Sequence, residues 1–344
     1  MIVRRISSRL PVIVYQPPKV FDPSYFASVH AAGGLPVLDT EFFANTDIIQ
    51  MIEQLAQSDL LFGVRLAADN QAIREYLENN SIANLDLIVF SYRAAAELSG
   101  FQFTNRDYRF FIEVTDIKLQ EALARIAPHG VIVKGQEGPG KVSRYSAFIL
   151  LQWYLKNCDL PAFVHGGVGW HTAAGFLAMG AEGLVLDNQL YLSREAPLAT
   201  VYKDLLRQLE EKDATVLGQS LGSPYHFFAK LGTRIVKTLR DREIHLAEAE
   251  DAPARLYREI ETHIADLSQP SDAPLQSLFY LGQDAVFARH FARHGETVQD
   301  MLHGLFRHIG EQLTAVDGHD PLREDSPLAR EHGTRYPILQ GPMA

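Results

Sequence analysis

PAFVHGGVGWHTAAGFLAMGAEGLVLD, residues 161–187, decides the fold. It opens on a short apolar run, PAFVHG, and closes on another, GLVLD. Between them lie two adjacent glycines, a helical stretch rich in small and apolar residues, and Gly180 as its stop. A buried run, a helix and a second buried run within so few residues form a parallel strand–helix–strand unit, because antiparallel neighbours need no helix between them.

Working outward, the same unit repeats. PVIVY (11–15), LPVLD (35–39), LFGVRL (61–66), LDLIVF (85–90), RFFIEV (109–114) and GVIVKG (130–135) precede the two runs already named, which makes eight. All are short and dominated by Val, Ile, Leu and Phe, the composition of parallel strands covered on both faces. The intervening segments carry helical spacing. Ile48, Ile49, Met51, Ile52 and Leu55 share one stripe, and so do Ile117, Leu119, Ala122, Leu123 and Ile126, which stop before Pro128 and Gly130. Eight such units predict an α/β fold, a (β/α)8 TIM barrel; an open doubly wound sheet is the competitor, and the count of eight favours closure.

After residue 190 the strand signal fades, and 196–218, 227–240, 252–267 and 283–315 read as amphipathic helices. The polar, proline-containing stretches SQPSDAPLQS (268–277) and VDGHDPLREDSPLARE (316–331) read as breaks. The expected organisation is a barrel over 1–195, a C-terminal helical appendage over 196–315, a linker over 316–335, and in YPILQGPMA (336–344) the first strand of a following domain.

The 344 residues carry a formal net charge of −10, which argues against nucleic acid or an anionic membrane as partner. No apolar run approaches the roughly 20 residues of a membrane span. Cys158 is the only cysteine, without a Cys or His at ligand spacing, so neither an internal disulfide nor a metal site is expected, and the chain reads as cytoplasmic.

In such a barrel the chemistry lies at the carboxyl ends of the strands. Gly166 and Gly167, directly after a strand and before a helix, let backbone N–H groups approach a phosphate, or else only make a tight turn. His165 precedes them at the barrel mouth. KGQEGPGKVS (134–143) offers Glu137 and Lys141, an acid and a base, or two solvated loop charges. His171 begins the helix that follows. Arg65, within a buried run, requires a partner, either an anionic ligand or a carboxylate such as Glu113.

These segments taken together, from LPVIVYQPPKVFDPSYFASVHAAGGLPVLD through LFGVRL and GVIVKGQEGPGKVS to the opening stretch, resemble the nitronate monooxygenase (2-nitropropane dioxygenase) family of FMN-binding barrels, which includes enoyl reductases. SLFYLGQDAVFARHFARHGETVQDML (277–302) and the carboxyl end resemble the divergent form found at the start of large polyketide and polyunsaturated-fatty-acid synthases. The resemblance implies FMN, with its phosphate at Gly166 and Gly167, Gln16, Arg65 and Asn188 along the cofactor, and Glu137, Lys141 and His165 as catalytic residues. It also implies an acyl or other small-molecule substrate and the other domains of a megasynthase as partners. The sequence departs from the family pattern in three places. Lys141 stands where the family has its base histidine, Arg65 where it has an asparagine, and Asp187-Asn188 where it has Gly-Thr beside the phosphate. A protonated lysine cannot abstract a proton, and a carboxylate beside a phosphate repels it. Three readings stay open: an FMN-dependent oxidoreductase, a non-catalytic structural or docking domain of a megasynthase, and a flavin-free site in which Arg65 and Lys141 hold an acyl or phosphopantetheine anion.

Overall fold

Each of the eight apolar runs forms a strand whose two faces go to two different cores. A computed structural model describes residues 12–67, 71–97, 108–117, 123, 127–229, 233–269, 277–318 and 322–338. In it, β1 (Val12–Tyr15), β2 (Leu35–Asp39), β3 (Phe62–Leu66), β4 (Leu85–Phe90), β5 (Arg109–Val114), β6 (Gly130–Lys134), β8 (Ala162–His165) and β9 (Gly183–Leu186) close into a parallel barrel. The short β7 (Gly140–Lys141) lies outside that ring. Closure is made by β1 against β9, with Ile13 opposite Val185. Ile13, Tyr15, Val37, Leu87, Val89, Phe111, Ile132, Phe163 and Val185 fill the interior. Their alternating neighbours, such as Val12, Val14, Leu38, Val64 and Ile88, pack beneath the helices. This two-sided burial is why the runs are continuously apolar.

The helices start where capping chemistry lets them. Asp22 accepts the N–H of Ser24 at the head of α1 (Pro23–Ala31), with proline in its first turn. Helix α2 (Asn45–Ala56) buries Ile48, Ile52 and Leu55. It is followed by α3 (Gln71–Asn79), α4 (Tyr92–Glu97) and α5 (Ala147–Asn157), and Ser146 caps the last of these. Helix α6 (Thr172–Met179) ends at Gly180, in the left-handed region.

The chain beyond β9 is not an all-helical appendage. It contains α7 (Thr200–Gln208), β10 (Ala214–Leu217), β11 (Tyr225–Phe228), α8 (Arg234–Leu246), α9 (Ala252–Glu261), α10 (Ala288–Ala292) and α11 (Val298–Gly318). The stretches read as helices over 196–218 and 227–240 thus include strands. The runs ATVL and YHFF pair antiparallel with each other, and β11 pairs with β7, placing Tyr225 opposite Lys141. The β-branched and aromatic residues of these runs find partners that are distant in sequence, which helical periodicity cannot register. A second core of Leu217, Phe227, Leu239, Leu256, Ile260 and Leu278 holds this layer together.

The last long helix returns to the barrel. α11 packs against α6 and α1, with Val298, Met301, Leu302, Leu305 and Ile309 fully buried. It supplies the eighth outer helix, so residues 187–297 form an insertion in the eighth unit. Within the segment read as a linker, α11 extends to Gly318, and Ser326 caps a short α12 (Pro327–Glu331). Tyr336 and Ile338 are 41% and 69% exposed, and the remainder of the segment read as a further strand lies outside the described residues. Among the described residues, no helix is long and apolar enough to cross a membrane.

Candidate functional site

The carboxyl ends of the barrel strands converge on a buried, charged cluster. Arg65 at the end of β3 is only 3% exposed and uses its whole fork. Its Nε and Nη2 donate to Glu113 Oε1 and Oε2 at 3.0 and 2.8 Å, and its Nη1 donates to Asp39 and Glu41 at 2.8 and 2.9 Å. Tyr15 donates to Glu113 and Tyr280 to Glu41, at 3.2 and 2.8 Å, and the Tyr257 hydroxyl also donates to Glu41. Burial alone would discharge these groups. For Arg65 it opposes the charge, but Asp39, Glu113 and Glu41 outweigh it and raise its pKa well above the usual value. Burial likewise pushes Glu113 up, yet Arg65 and Lys134 carry it well below the carboxylate range. Glu41 is also lowered, with burial opposed by Arg65, whereas Asp39 is raised because burial dominates. Of the two partners the sequence allowed Arg65, it takes the carboxylates, which occupy four of its five N–H groups.

His165 closes the other side of the mouth. Its Nε2 lies 2.8 Å from Asp187 Oδ2, its Nδ1 lies 3.9 Å from Glu113, and its ring meets Tyr15 edge-on. Burial lowers its pKa, but the charge and hydrogen bond of Asp187, with Glu113 nearby, reverse that and favour the imidazolium. Asp187 therefore neutralises a histidine and caps the 3-10 turn Asn188–Leu190.

Gly166 and Gly167 adopt φ of +97° and +68°, which turns the Gly167 N–H toward the end of the barrel. The group that this N–H meets is Asp284, a fully buried carboxylate from the insertion. Asp284 Oδ2 accepts from Gly167 N and Gln189 Nε2, and its Oδ1 accepts from Asn188 Nδ2, all at 3.2 Å. Gly282 allows this approach, since a Cβ there would stand 2.3 Å from the Glu137 carbonyl oxygen. Burial, reinforced by Asp187, pushes the Asp284 pKa up to about 8. The Asn188 Oδ1 is buried without a partner.

The sequence-predicted residues divide into three places. Arg65, His165, Gly166, Gly167 and Asn188 meet at the mouth, with Gln16, whose Nε2 donates to the Asp39 carbonyl at 3.4 Å and whose Oε1 has no partner. Glu137 lies beside them, its side chain next to Gly167. Its Oε2 accepts the Ala147 N–H at the start of α5, at 3.0 Å, which is a helix-capping role. Lys141 sits on β7 at the wall of a cavity of about 290 Å3 between the barrel rim and the insertion, and Arg65 lines the same cavity. Sequence reasoning missed Asp39, Glu41, Lys134, Tyr257, Tyr280 and Asp284. A signal existed for Asp284 only in its position, one acid in a largely apolar segment, FYLGQDAVF.

FMN does not fit these side chains as they stand. Asp284 fills the phosphate cradle. The space left between Tyr15, Gln16, Arg65, Lys134, His165 and Tyr280 is about 10 Å3, room for about one water molecule. Tyr280 accounts for much of this closure, lying against Gly140, whose missing Cβ would fall 2.1 Å from the Tyr280 hydroxyl.

No protein-family model and no curated protein matches the chain. Solved structures do. FabK from Thermotoga maritima superimposes with a TM-score of 0.71 at 19% identity, over 90% of this chain and 95% of its own. The enoyl reductase domain of MlnA from the macrolactin biosynthesis cluster of Bacillus amyloliquefaciens gives 0.68 at 13%, over 92% and 98%. Nitroalkane oxidase from Streptomyces ansochromogenes gives 0.66 at 16%, over 89% and 97%. Coverage of about nine-tenths reaches well past β9, so the likeness takes in most of the insertion as well as the barrel. In fold, this chain is a (β/α)8 barrel of the kind seen in FabK, the MlnA enoyl reductase domain and the nitroalkane oxidase.

Proposed function

We propose that this chain is a flavin-free member of the enoyl reductase and nitronate monooxygenase-like barrels, a structural or docking domain working with the enzymes of a polyketide or fatty-acid synthase. The observation that carries the reading is Asp284. An internal carboxylate on Gly167, Asn188 and Gln189 takes the hydrogen bonds that a phosphate would need. A second anion cannot share those donors without loss of the bonds already made. The replacement of the family's base histidine by Lys141 supports the same reading, as does the engagement of Arg65 with three carboxylates. The synthase setting rests on the resemblance of the sequence and on the fold shared with the MlnA domain.

The protein is expected to purify colourless. Added FMN should produce neither fluorescence quenching nor a thermal shift. Visible flavin absorbance in the freshly purified protein, or saturable FMN quenching, overturns the reading. One observation favours the alternative of a flavin oxidoreductase, namely that Gly166 and Gly167 keep the anion-binding turn. On that alternative FMN displaces the segment around Asp284, and Asp284→Ala, which removes the competing acceptor, tightens FMN binding.

A further inference from the structure

The cavity beside Lys141 opens over the carboxyl ends of β3, β4 and β5, next to the Arg65 cluster. Its walls are Ala67, Tyr92, Tyr225, Pro253, Ala254 and Tyr257, with Ser91, Thr115 and Ser223 interspersed, and the Arg65 cluster forms its floor. At about 290 Å3 it falls at the bottom of the roughly 300–1,000 Å3 range of small-molecule sites, so it suits a small ligand. The lysine is placed with care. Its Nζ donates to Ser223 Oγ at 2.7 Å and stands 5.2 and 6.0 Å from the ring centres of Tyr225 and Tyr92. No carboxylate lies within ion-pair distance of it among the described residues.

We propose that Lys141 is an imine-forming lysine, and that the cavity takes a small, uncharged, apolar aldehyde or ketone. The amine nitrogen adds to the carbonyl carbon to give a carbinolamine. Both amine protons then leave with the carbonyl oxygen as water, and a C=N bond remains; hydrolysis reverses the sequence, and no oxidant or reductant is consumed. Ser223, bonded to the amine, is positioned to relay a proton between nitrogen and oxygen.

The electrostatics agree with this chemistry. Burial, with the neighbouring Arg144 adding to it, lowers the Lys141 pKa to about 8, against a smaller opposing pull from Asp116. Desolvation beside a second cation is a recognised way to make a lysine nucleophilic at neutral pH. Besides Arg144 and Asp116, the groups facing the cavity are the phenols of Tyr92, Tyr225 and Tyr257 and the Glu41, Glu113 and Arg65 side chains of the floor. The carboxylates of that floor disfavour an anionic ligand, so a neutral carbonyl is the better occupant.

Butanal with sodium cyanoborohydride tests the proposal on the full chain. At pH 7.5 a lysine titrating near 8 has on the order of 100-fold more neutral amine than an ordinary one. Peptide mapping should therefore find Lys141 alkylated about 10- to 100-fold faster than the other lysine side chains. Its rate should level off near pH 8 to 9 while theirs continues to rise. Arg144→Met, a surface change, should move the Lys141 midpoint upward. Glyoxylate, an anionic carbonyl, should label Lys141 more slowly than butanal. Labelling of Lys141 no faster than of other lysines, a midpoint near the ordinary lysine value, or a preference for glyoxylate each overturns the proposal. The labelling is read without added FMN, so its outcome is distinct from that of the FMN titration.

Discussion

Arg65 is the residue on which the barrel mouth depends. Three carboxylates are buried around it, and removing the cation leaves them uncompensated. Arg65→Met is expected to cost about 3–5 kcal/mol in urea unfolding. The same change in a Glu113→Gln background should cost less, since one of the orphaned charges is then gone. Asp284 makes a separate prediction with a definite sign. Its folded pKa is about 8, whereas an unfolded aspartate titrates near 4. Between those values the native state keeps a proton that the unfolded state has released, so this group's contribution to stability falls as pH rises from about 4 to 8 and is level above. Asp284→Asn cannot titrate. Its stability relative to the parent, compared by denaturant midpoints at pH 5 and pH 8, should improve by on the order of 1–3 kcal/mol across that interval. Arg65's need for a partner could be read from its place in an apolar run. That three carboxylates would answer it could not, because Asp39, Glu41 and Glu113 come from other strand ends and meet only when the barrel closes.

At the scale of elements, the segment around Gly282 closes the site and the helix α11 covers the outer helices. A Cβ at position 282 would meet the Glu137 backbone oxygen, which cannot move aside without disturbing the loop after β6. Gly282→Ala is expected to lift Asp284 from the Gly167 N–H. Faster amide exchange at Gly167 is the measurement, with a stability loss of about 1–3 kcal/mol. In α11, Leu305 is fully buried, and Leu305→Ala should cost about 2–5 kcal/mol by denaturant unfolding. The eight barrel strands were legible because each is a contiguous apolar run covered on both faces. β10 and β11 were not, because ATVL and YHFF reveal themselves as strands only through pairing with each other and with Gly140 and Lys141. Glu137 shows the same limit in a single side chain. An acid in a glycine-rich loop at a barrel mouth suggests catalysis, but the turn brings its carboxylate to the head of α5 instead.

For the whole molecule, the return of α11 to the barrel makes the insertion and the barrel interdependent. The apolar face of α11 covers α1 and α6, so a chain ending before residue 298 would expose those helices to water. Such a truncation is expected to lose cooperative thermal unfolding and to bind hydrophobic dyes, as judged by calorimetry and fluorescence. The sequence by itself determined the strand count, the parallel order and the position of the double-glycine turn, because local composition and periodicity carry that information. The tertiary structure alone decided what the site contains. The carboxylates around Arg65, the Asp284 at the double-glycine turn and the cavity beside Lys141 are each assembled from residues far apart in the chain. Their burial, and so their charge states, exist only once the barrel and its insertion have packed together.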